Sequence, residues 1–383
     1  MPFVLSKSRI LRILRPNKLG LKLFLIALLG LTAVGLVVFF LKFNREKAPT
    51  EIQNPLATGS AQLDEEKPVE PPKLSLETIF ATASASLSGL DESKIIKLIA
   101  TGDVIPARGA NWPAVQSGDF KFPWRKTASL LQSGDLTLIN LEAPLFAGCQ
   151  LQTSGFTFCG DARHIEGIVW AGVDVASLAN NHIGNYGQEG IEKTISLLTK
   201  NNVDYSGFDH LAIKGVKGVK FGFLAYNGVG ATFQTEGMKT QIAASKKKVD
   251  ILVVSVHWGM EYESFPKAAP PVAPDDPKQI AKLMIEAGAD LIIGNHPHWV
   301  QGIQIINNGF VTYAHGNFIF DQTWSEETKE GVVGEYIFYD KKLVSVHLYP
   351  TKFEKQYQPR FLKTDEGAHV LKRMKGASVL LAK

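Results

Sequence analysis

Cysteine is scarce in this sequence of 383 residues, which contains two, Cys149 and Cys159. Neither belongs to a C-x-x-C pair or to another zinc-binding spacing, so the sequence offers no structural zinc–thiolate site. The two flank a loop rich in glycine, serine and threonine. They are candidates for a local disulfide if the domain lies in an oxidising compartment. The alternative is a pair of unrelated buried thiols.

Excess charge is also small. The formal net charge is +4, and much of the excess lies at the two ends of the chain. Proteins that bind nucleic acid concentrate basic residues on one face or along one element. We therefore expect no nucleic-acid partner.

Acidic residues are absent from the N-terminal segment, residues 1–22, which is basic throughout. Residues 23–41 then form an apolar run with Thr32 as its one polar member. As a helix this run would be roughly 28 Å long, about the hydrocarbon thickness of a bilayer. We predict a single-pass membrane anchor with its N-terminus in the cytoplasm, because positive charge stays on that side, and an extracellular globular domain. A cleaved signal peptide is the alternative, but no small-residue cleavage site follows in residues 43–51.

Residues 42–95 differ in composition from the segments on either side. They are rich in proline, serine, alanine and threonine and show no sustained apolar period. Such a composition is typical of an extended, disordered linker. We predict that it holds the globular domain, residues 96–383, away from the membrane.

The C-terminal part of the sequence contains a short apolar strand that runs into a polar cluster. Residues 291–293 are apolar and Gly294 ends the run. Pro297 should push His296 towards extended geometry, in which His296 and His298 share one face. Two imidazoles held in this way are typical of metal ligands, although two ordinary polar loop residues would give the same pattern.

Other apolar strands of the sequence end in the same way, with Asp, Glu, Asn or His directly after them. Ligands of α/β sheets gather at the carboxyl ends of the strands, so these residues are expected to converge. The candidate metal ligands are Asp103, Glu142, Asn181, His257, His296 and His298. This mixed nitrogen and oxygen set suits one or two ions of manganese, zinc or iron.

Each candidate also has a structural alternative. Asp103 could be a turn residue, Glu142 part of a buried salt bridge, and His257 a packed core histidine. Arg108 could face an anionic substrate or lie in a solvated loop. The segment Ala171–Asp174 is repeated as Ala287–Asp290, each followed by a strand with a polar end, which predicts an α/β fold with one layered domain.

Taken together, the polar motifs resemble those of the CapA capsule-synthesis family, named for poly-gamma-glutamate synthesis and related to calcineurin-like metallophosphoesterases. The resemblance covers residues 96–362. The motifs are Gly102-Asp103, Asn140-Leu141-Glu142, Ala179-Asn180-Asn181-His182, Val256-His257-Trp258-Gly259, Gly294-Asn295-His296-Pro297-His298 and His315-Gly316-Asn317-Phe318-Ile319-Phe320.

The resemblance implies a four-layer α/β/β/α sandwich around a divalent-metal site. It implies that the six candidate ligands bind the metal and that His182 is the catalytic histidine, protonating a leaving group or stabilising transition-state charge. We add Arg108 as a second catalytic candidate, and Asn180, His315 and Asn317 as substrate-binding candidates. Two positions depart from the wider phosphoesterase pattern: Ile105 stands where a histidine is usual, and Glu142 where a bridging aspartate is usual.

Two functions are therefore expected. One is an extracytoplasmic metal-dependent hydrolase acting on a phosphoester or on an anionic polymer such as poly-gamma-glutamate. The other is a non-catalytic accessory subunit of a membrane polymer synthase, with the anchor raising its local concentration near that complex. A plain α/β domain with ordinary turn residues would require several motifs to coincide by chance.

Overall fold

The computed structural model describes residues 70–81 and 86–382, in which strands and helices alternate. The strands are β1 (Ile95–Val104), β2 (Leu136–Leu141), β3 (Leu145–Phe146), β4 (Gly160–Asp161), β5 (Val175–Ser177), β6 (Asp204–Ser206), β7 (Ala212–Val216), β8 (Val219–Asn227), β9 (Ile251–His257), β10 (Leu291–Asn295), β11 (Ile303–Ile306), β12 (Gly309–Thr312), β13 (Asn317–Ile319), β14 (Glu330–Tyr339), β15 (Lys342–Phe353) and β16 (Pro359–Phe361). The α-helices are α1 (Leu76–Ile79), α2 (Arg108–Ser117), α3 (Ala128–Leu131), α4 (His164–Trp170), α5 (Gly187–Lys200), α6 (Thr235–Lys246), α7 (Pro277–Ala287), α8 (Glu326–Lys329) and α9 (Thr364–Leu381).

Two large sheets organise these elements, and they confirm the predicted α/β class. The first has the strand order β16-β15-β14-β1-β2-β5-β6, with β13 also paired to β1. The second has the order β11-β12-β10-β9-β8-β7. Strands β3 and β4 form a separate small pair.

Three apolar layers hold the sheets and helices together. The central layer joins side chains of both sheets, such as Leu98 of β1 and Val253 of β9. The next residue of β1, Ile99, faces the opposite way and packs with the layer beneath α4 and α5. Leu252 of β9 likewise faces α6 and α7. Because side chains alternate along a strand, both central strands are buried on two faces.

Parallel pairing brings the candidate ligands to one edge of each sheet. Asp103 on β1 is level with Asn140 on β2 and with Asn317 on β13. In the second sheet His257 is level with Asn295, the last residue of β10. The polar ends of parallel strands therefore meet, as the sequence predicted.

The repeated Ala–Gly–x–Asp segment has the same role at both positions. Gly172 and Gly288 both adopt a positive φ, at 81° and 119°, where each preceding helix ends. Asp174 Oδ2 then accepts from Thr137 N at 2.8 Å, and Asp290 Oδ2 accepts from Leu252 N at 2.7 Å. Each aspartate thus ties the entry of its own strand to the start of the neighbouring strand.

Part of the predicted linker is structured where the structure describes it. Ser75 caps α1 through a hydrogen bond to Thr78 N at 3.2 Å. Leu76, Ile79 and their neighbours pack against the central apolar layer, and β1 begins at Ile95, within the predicted linker. This C-terminal part of the predicted linker therefore packs against the domain through its apolar side chains.

The predicted anchor, residues 23–41, lies outside the described residues, as does most of the linker. In the ranges 70–81 and 86–382, the helices are too short or too polar to cross a bilayer.

Candidate metal centre

The carboxylate of Asp103 lies at the end of β1, where the backbone passes very close to the loop before β13. Asp103 N donates to Gly316 O at 2.9 Å. A Cβ at the preceding residue, Gly102, would lie only 2.0 Å from that same oxygen. Glycine is therefore required at position 102 for Asp103 to reach the site.

Asn140 connects the two buried carboxylates of the centre. Its Nδ2 donates to Asp103 Oδ1 at 2.8 Å and to Glu142 Oε2 at 3.2 Å. All three side chains are buried. One amide group thus sets the spacing of two like charges, which would otherwise repel each other.

The two histidines of the β10 tip adopt positive φ values rather than the extended geometry predicted from Pro297. The φ angles are 95° for His296 and 58° for His298. Both rings nevertheless face the same site, with centroids 5.9 Å apart. The expected convergence is observed, but it comes from a sharp bend and not from a shared strand face; such strained backbone is common at functional sites.

His298 is fixed by groups on the first sheet. Its Nδ1 lies 2.9 Å from Asn317 Oδ1 and 3.2 Å from Asp103 Oδ2. Burial disfavours the charged imidazole, but the hydrogen bond to Asp103 and the nearby carboxylates outweigh this and raise the pKa of His298 to about 9. The contact between His298 and Asp103 joins the two sheets, and a bound metal ion would displace the extra proton, because only the neutral ring is a ligand.

His257 and Asn181 meet on the other side of Glu142. His257 Nε2 lies 2.8 Å from Asn181 Oδ1 and 3.3 Å from Glu142 Oε1. Desolvation lowers the pKa of His257 to about 3 and holds that of His296 well below its ordinary value. Both rings are therefore neutral, which is the form that binds metal ions.

The pKa of Glu142 is shifted in the direction that favours its neutral form as well, which for a carboxyl group is upward. Burial and then the charge of Asp103 raise the pKa of its carboxyl well above the usual value. A carboxyl that resists ionisation in this way would be stabilised as a carboxylate by a bound cation.

Several buried polar atoms of the centre have no hydrogen-bond partner among the described residues. They include Glu142 Oε1, His257 Nδ1 and His296 Nδ1. Native proteins rarely leave such atoms unpaired, because an unmade hydrogen bond costs about 1–3 kcal/mol. Ligand atoms lie within 4.8 Å of one another in two overlapping groups, one of Asp103, Glu142 and His257, the other of Glu142, His296 and His298. The residues present therefore fit a divalent cation, with Glu142 shared by both groups.

Residue 105, where the wider phosphoesterase pattern has a histidine, lies in an apolar environment. Ile105 is fully buried and belongs to a small cluster with Phe158 and Phe320. The side chain at position 105 therefore supplies no ligand atom.

His182 lies beside the ligands, and its orientation is set by Asn185. Asn185 Oδ1 accepts from Phe158 N at 2.7 Å, which identifies this atom as the amide oxygen, and lies 3.0 Å from His182 Nδ1. Nδ1 therefore carries the proton, and Nε2 presents a lone pair. Burial lowers the pKa of His182 to about 4. The neutral ring suits proton acceptance, whereas the proton donation implied by the family resemblance would require the charged form that burial disfavours.

Arg108 is engaged within the protein. Its guanidinium pairs with Asp321, donates to Gly155 O at 2.8 Å and lies over the rings of Phe158 and Phe320. The side chain is 10% exposed. The predicted role in catalysis is not supported by this placement, because the charge is already neutralised by a buried carboxylate.

The three predicted substrate-binding residues are used inside the protein. Asn180 Nδ2 donates to Leu141 O at 2.9 Å and its Oδ1 accepts from Ile183 N at 2.9 Å, which shapes the turn carrying Asn181 and His182. Asn317 holds His298, as described above. His315 is fully buried, with Nδ1 at 3.2 Å from Thr101 O and Nε2 at 2.8 Å from the Tyr336 hydroxyl. Both ring nitrogens of His315 are therefore engaged within the protein, and substrate contact by this residue stays a prediction.

Cys149 and Cys159 are joined by a disulfide in this structure. The closed loop carries Gly155 and Phe158, which contact Arg108, and Phe158 also contacts the His182 ring, with centroids 4.2 Å apart. The loop therefore forms one wall of the centre.

Sequence reasoning missed three residues of the centre: Asn140, Asn185 and Glu261. Asn140 lies within β2 and belongs to the Asn140-Leu141-Glu142 motif, but sequence reasoning gave it no role of its own. Asn185 lies three residues after His182, which is a spacing typical of side chains that meet in a turn. Glu261 Oε1 lies 3.9 Å from His298 Nε2, and its place shortly after β9 is the only local signal for this contact.

Comparison with known proteins agrees with the motif analysis. A family model described as "Bacterial capsule synthesis protein PGA_cap" matches residues 97–322. The "Capsule biosynthesis protein CapA" of Bacillus anthracis is 28% identical, over 69% of each chain. The "PGA biosynthesis protein CapA" of Bacillus subtilis (strain 168) is 33% identical, over 42% of this chain and 46% of its own.

Among solved structures, a hypothetical protein from Thermus thermophilus is similar over 67% of this chain and 99% of its own, with 13% identity and a TM-score of 0.45. A score this low supports no argument about function. The family match, by contrast, spans more than half of the sequence and includes all six motifs. The chain therefore belongs to the family of bacterial capsule synthesis proteins, and the resemblance to CapA is confirmed.

Proposed function

We propose that this protein is a membrane-anchored, extracytoplasmic CapA-like protein that takes part in the synthesis or export of a capsule or poly-gamma-glutamate-type polymer. We further propose that it has metal-dependent hydrolase chemistry of the metallophosphoesterase kind on a four-layer sandwich. The observation that carries the chemical part is the set of buried, unpartnered donor atoms around Glu142. Family membership carries the biological part.

In this proposal the six candidate ligands bind the metal, and His182 has a separate role in proton transfer. Asp103, Glu142, Asn181, His257, His296 and His298 would hold one or two ions of manganese, zinc or iron. Such an ion supplies Lewis-acid activation of the scissile bond and of water. His182 Nε2 accepts a proton beside this centre, and Asn185 keeps the ring in the required tautomer.

The location follows from the N-terminal sequence. A single N-terminal helix, residues 23–41, holds the domain at the outer surface of the cell membrane, near membrane subunits of a polymer synthase. A disulfide between Cys149 and Cys159 suits an oxidising compartment.

The test compares the full-length protein with His296→Ala and with a control, His210→Ala. His210 is 39% exposed and pairs with Asp204 on β6. We expect the parent and the control to retain bound metal and to hydrolyse bis(p-nitrophenyl) phosphate, and His296→Ala to lose both. A parent protein that contains no metal under conditions in which it is folded would refute the hydrolase.

A non-catalytic accessory role is the second candidate, and Ile105 favours it. An apolar side chain at that position removes one donor that the wider phosphoesterase pattern supplies. Metal binding without turnover, together with co-purification of membrane synthase subunits, would select this role over the hydrolase.

A further inference from the structure

We propose that Glu261 is a further ligand of the metal centre, on the side of His298. This inference rests on the proposed metal-dependent function and adds a residue that the family motifs of the sequence analysis did not assign. Glu261 follows β9 after the turn formed by His257, Trp258 and Gly259, so it belongs to the same strand end as a predicted ligand.

The backbone around Glu261 is tied to the β10 tip. Tyr262 N donates to Pro297 O at 2.9 Å, between the two tip histidines. Trp258 N donates to Asn295 O at 3.2 Å. The segment carrying Glu261 is therefore held against the histidine tip at two points, and its carboxylate does not depend on a free loop to reach the centre.

The side-chain geometry fits a shared cation better than a direct contact. Glu261 Oε1 lies 3.9 Å from His298 Nε2, which is too long for a hydrogen bond. Two donors that are each about 2.0–2.2 Å from one ion lie at most about 4.4 Å apart. The Nδ1 of the same ring is already held by Asp103 and Asn317, so Nε2 is the atom that faces Glu261.

Glu261 also has no competing cation in the described part of the chain. Its one ion pair there is with His298, whereas the nearby Glu263 pairs with Lys267 Nζ at 3.1 Å. Glu261 lies on the Nε2 side of His298, and Asp103 lies on its Nδ1 side. No basic side chain of the described residues other than His298 therefore competes with a metal ion for Glu261.

The need for another donor has a structural cause. Ile105 is packed with Phe158 and Phe320 and offers no ligand atom. Glu261 reaches the centre from the opposite sheet and is 43% exposed, so it supplies an oxygen on the open side of the site. The inferred centre is thus richer in carboxylate than the ligand set that the motifs alone imply.

The experiment uses the full-length protein with Glu261→Gln and Glu261→Ala, and Glu263→Gln as the matched control. Titration calorimetry with Mn²⁺ measures affinity and stoichiometry, and the visible absorption of the Co²⁺ form reports the coordination number. We expect Mn²⁺ affinity to fall at least tenfold in both Glu261 variants, with a changed Co²⁺ spectrum, and to stay unchanged in Glu263→Gln.

Parent-like affinity and an unchanged Co²⁺ spectrum in both Glu261 variants would overturn the inference while leaving the metal-dependent function intact. A parent protein that binds neither Mn²⁺ nor Co²⁺ would overturn both proposals. Circular dichroism of the metal-free proteins distinguishes lost ligation from lost folding, since the half-exposed Glu261 is not expected to contribute to the core.

Discussion

Replacing Glu142 by glutamine should stabilise the metal-free protein and abolish its stabilisation by metal. Glu142 is fully buried beside Asp103, and their ligand atoms lie within 4.8 Å of each other. Two unit charges at 4.8 Å repel by roughly 3.5 kcal/mol at an effective dielectric constant of about 20. The hydrogen bonds of Asn140 and the charge of His298 offset part of this repulsion, so we expect a gain of about 1–3 kcal/mol in the variant.

The effect has a defined pH dependence. The folded-state pKa of Glu142 is raised above its usual 4.5, so the folded protein holds this proton more tightly than the unfolded chain does. The resulting stability is present below pH 4.5 and is lost as the pH rises through the folded-state pKa. Glu142→Gln mimics the protonated form, so the gain relative to the parent should grow as the pH rises.

Bound metal should make the parent more stable than Glu142→Gln. An ion at a hundred times its dissociation constant stabilises the folded parent by about 2.7 kcal/mol, which corresponds to a rise of about 4 °C in the melting midpoint of a domain of this length. Glu142→Gln lacks the carboxylate that both ligand groups share, so metal should raise its free energy of unfolding only slightly. The assay is thermal unfolding of both proteins with chelator and with Mn²⁺, at pH 6 and pH 9.

Glu335→Gln is the control. Glu335 is also buried, but its Oε2 accepts hydrogen bonds from His347 at 3.0 Å and from the Tyr349 hydroxyl at 2.7 Å, away from the centre. Despite burial, these partners lower the pKa of Glu335. This substitution should destabilise the protein and leave the metal effect unchanged. If Glu142→Gln destabilised the metal-free protein to the same extent, or if metal stabilised it as much as the parent, the electrostatic account of the centre would be wrong.

Three further predictions test other parts of the structure. Asn140→Leu should weaken metal binding about 10–100-fold by calorimetry, because it releases two carboxylates; unchanged affinity would contradict its positioning role. Cys149→Ser combined with Cys159→Ser should lower the free energy of unfolding by about 3 kcal/mol for a sequence separation of 10, measured in urea, and should leave the metal content unchanged, since no ligand lies in the loop. Burial lowers the pKa of His164 from 6.5 to about 4. Between these pH values the unfolded chain binds a proton that the folded protein does not bind. The free energy of unfolding of the parent should therefore fall by about 3 kcal/mol as the pH falls from 6.5 to 4. His164→Gln should reduce this loss in denaturant titrations, and an unaltered pH profile would show that His164 is not the source.

The alternation of strands and helices could be predicted from local patterns because burial on two faces requires continuous apolar runs. The apolar run of β9, the apolar face of α5 and the turn residues between β14 and β15 are local signals of this kind. Weaker patterns are less reliable. The apolar spacing of residues 124–132 favours one helix, whereas the structure has a 3-10 turn, Phe122–Trp124, followed by the short α3, and the Thr127 hydroxyl donates back to Trp124 O.

The sequence by itself determined which residues could bind a cation, because parallel strands bring their carboxyl ends to one edge and polar residues follow those strands. Only the tertiary structure decided which partner each of these residues contacts. His298 is held by Asp103, 195 positions away, and His315 is removed from the site by a hydrogen bond to Tyr336. Glu261 lies beside His298 because a turn after β9 packs on the tip of β10. Such contacts join groups that are distant along the chain, and hydrogen bonds and charge interactions of this kind depend on separation in space, so no local pattern of residues records them.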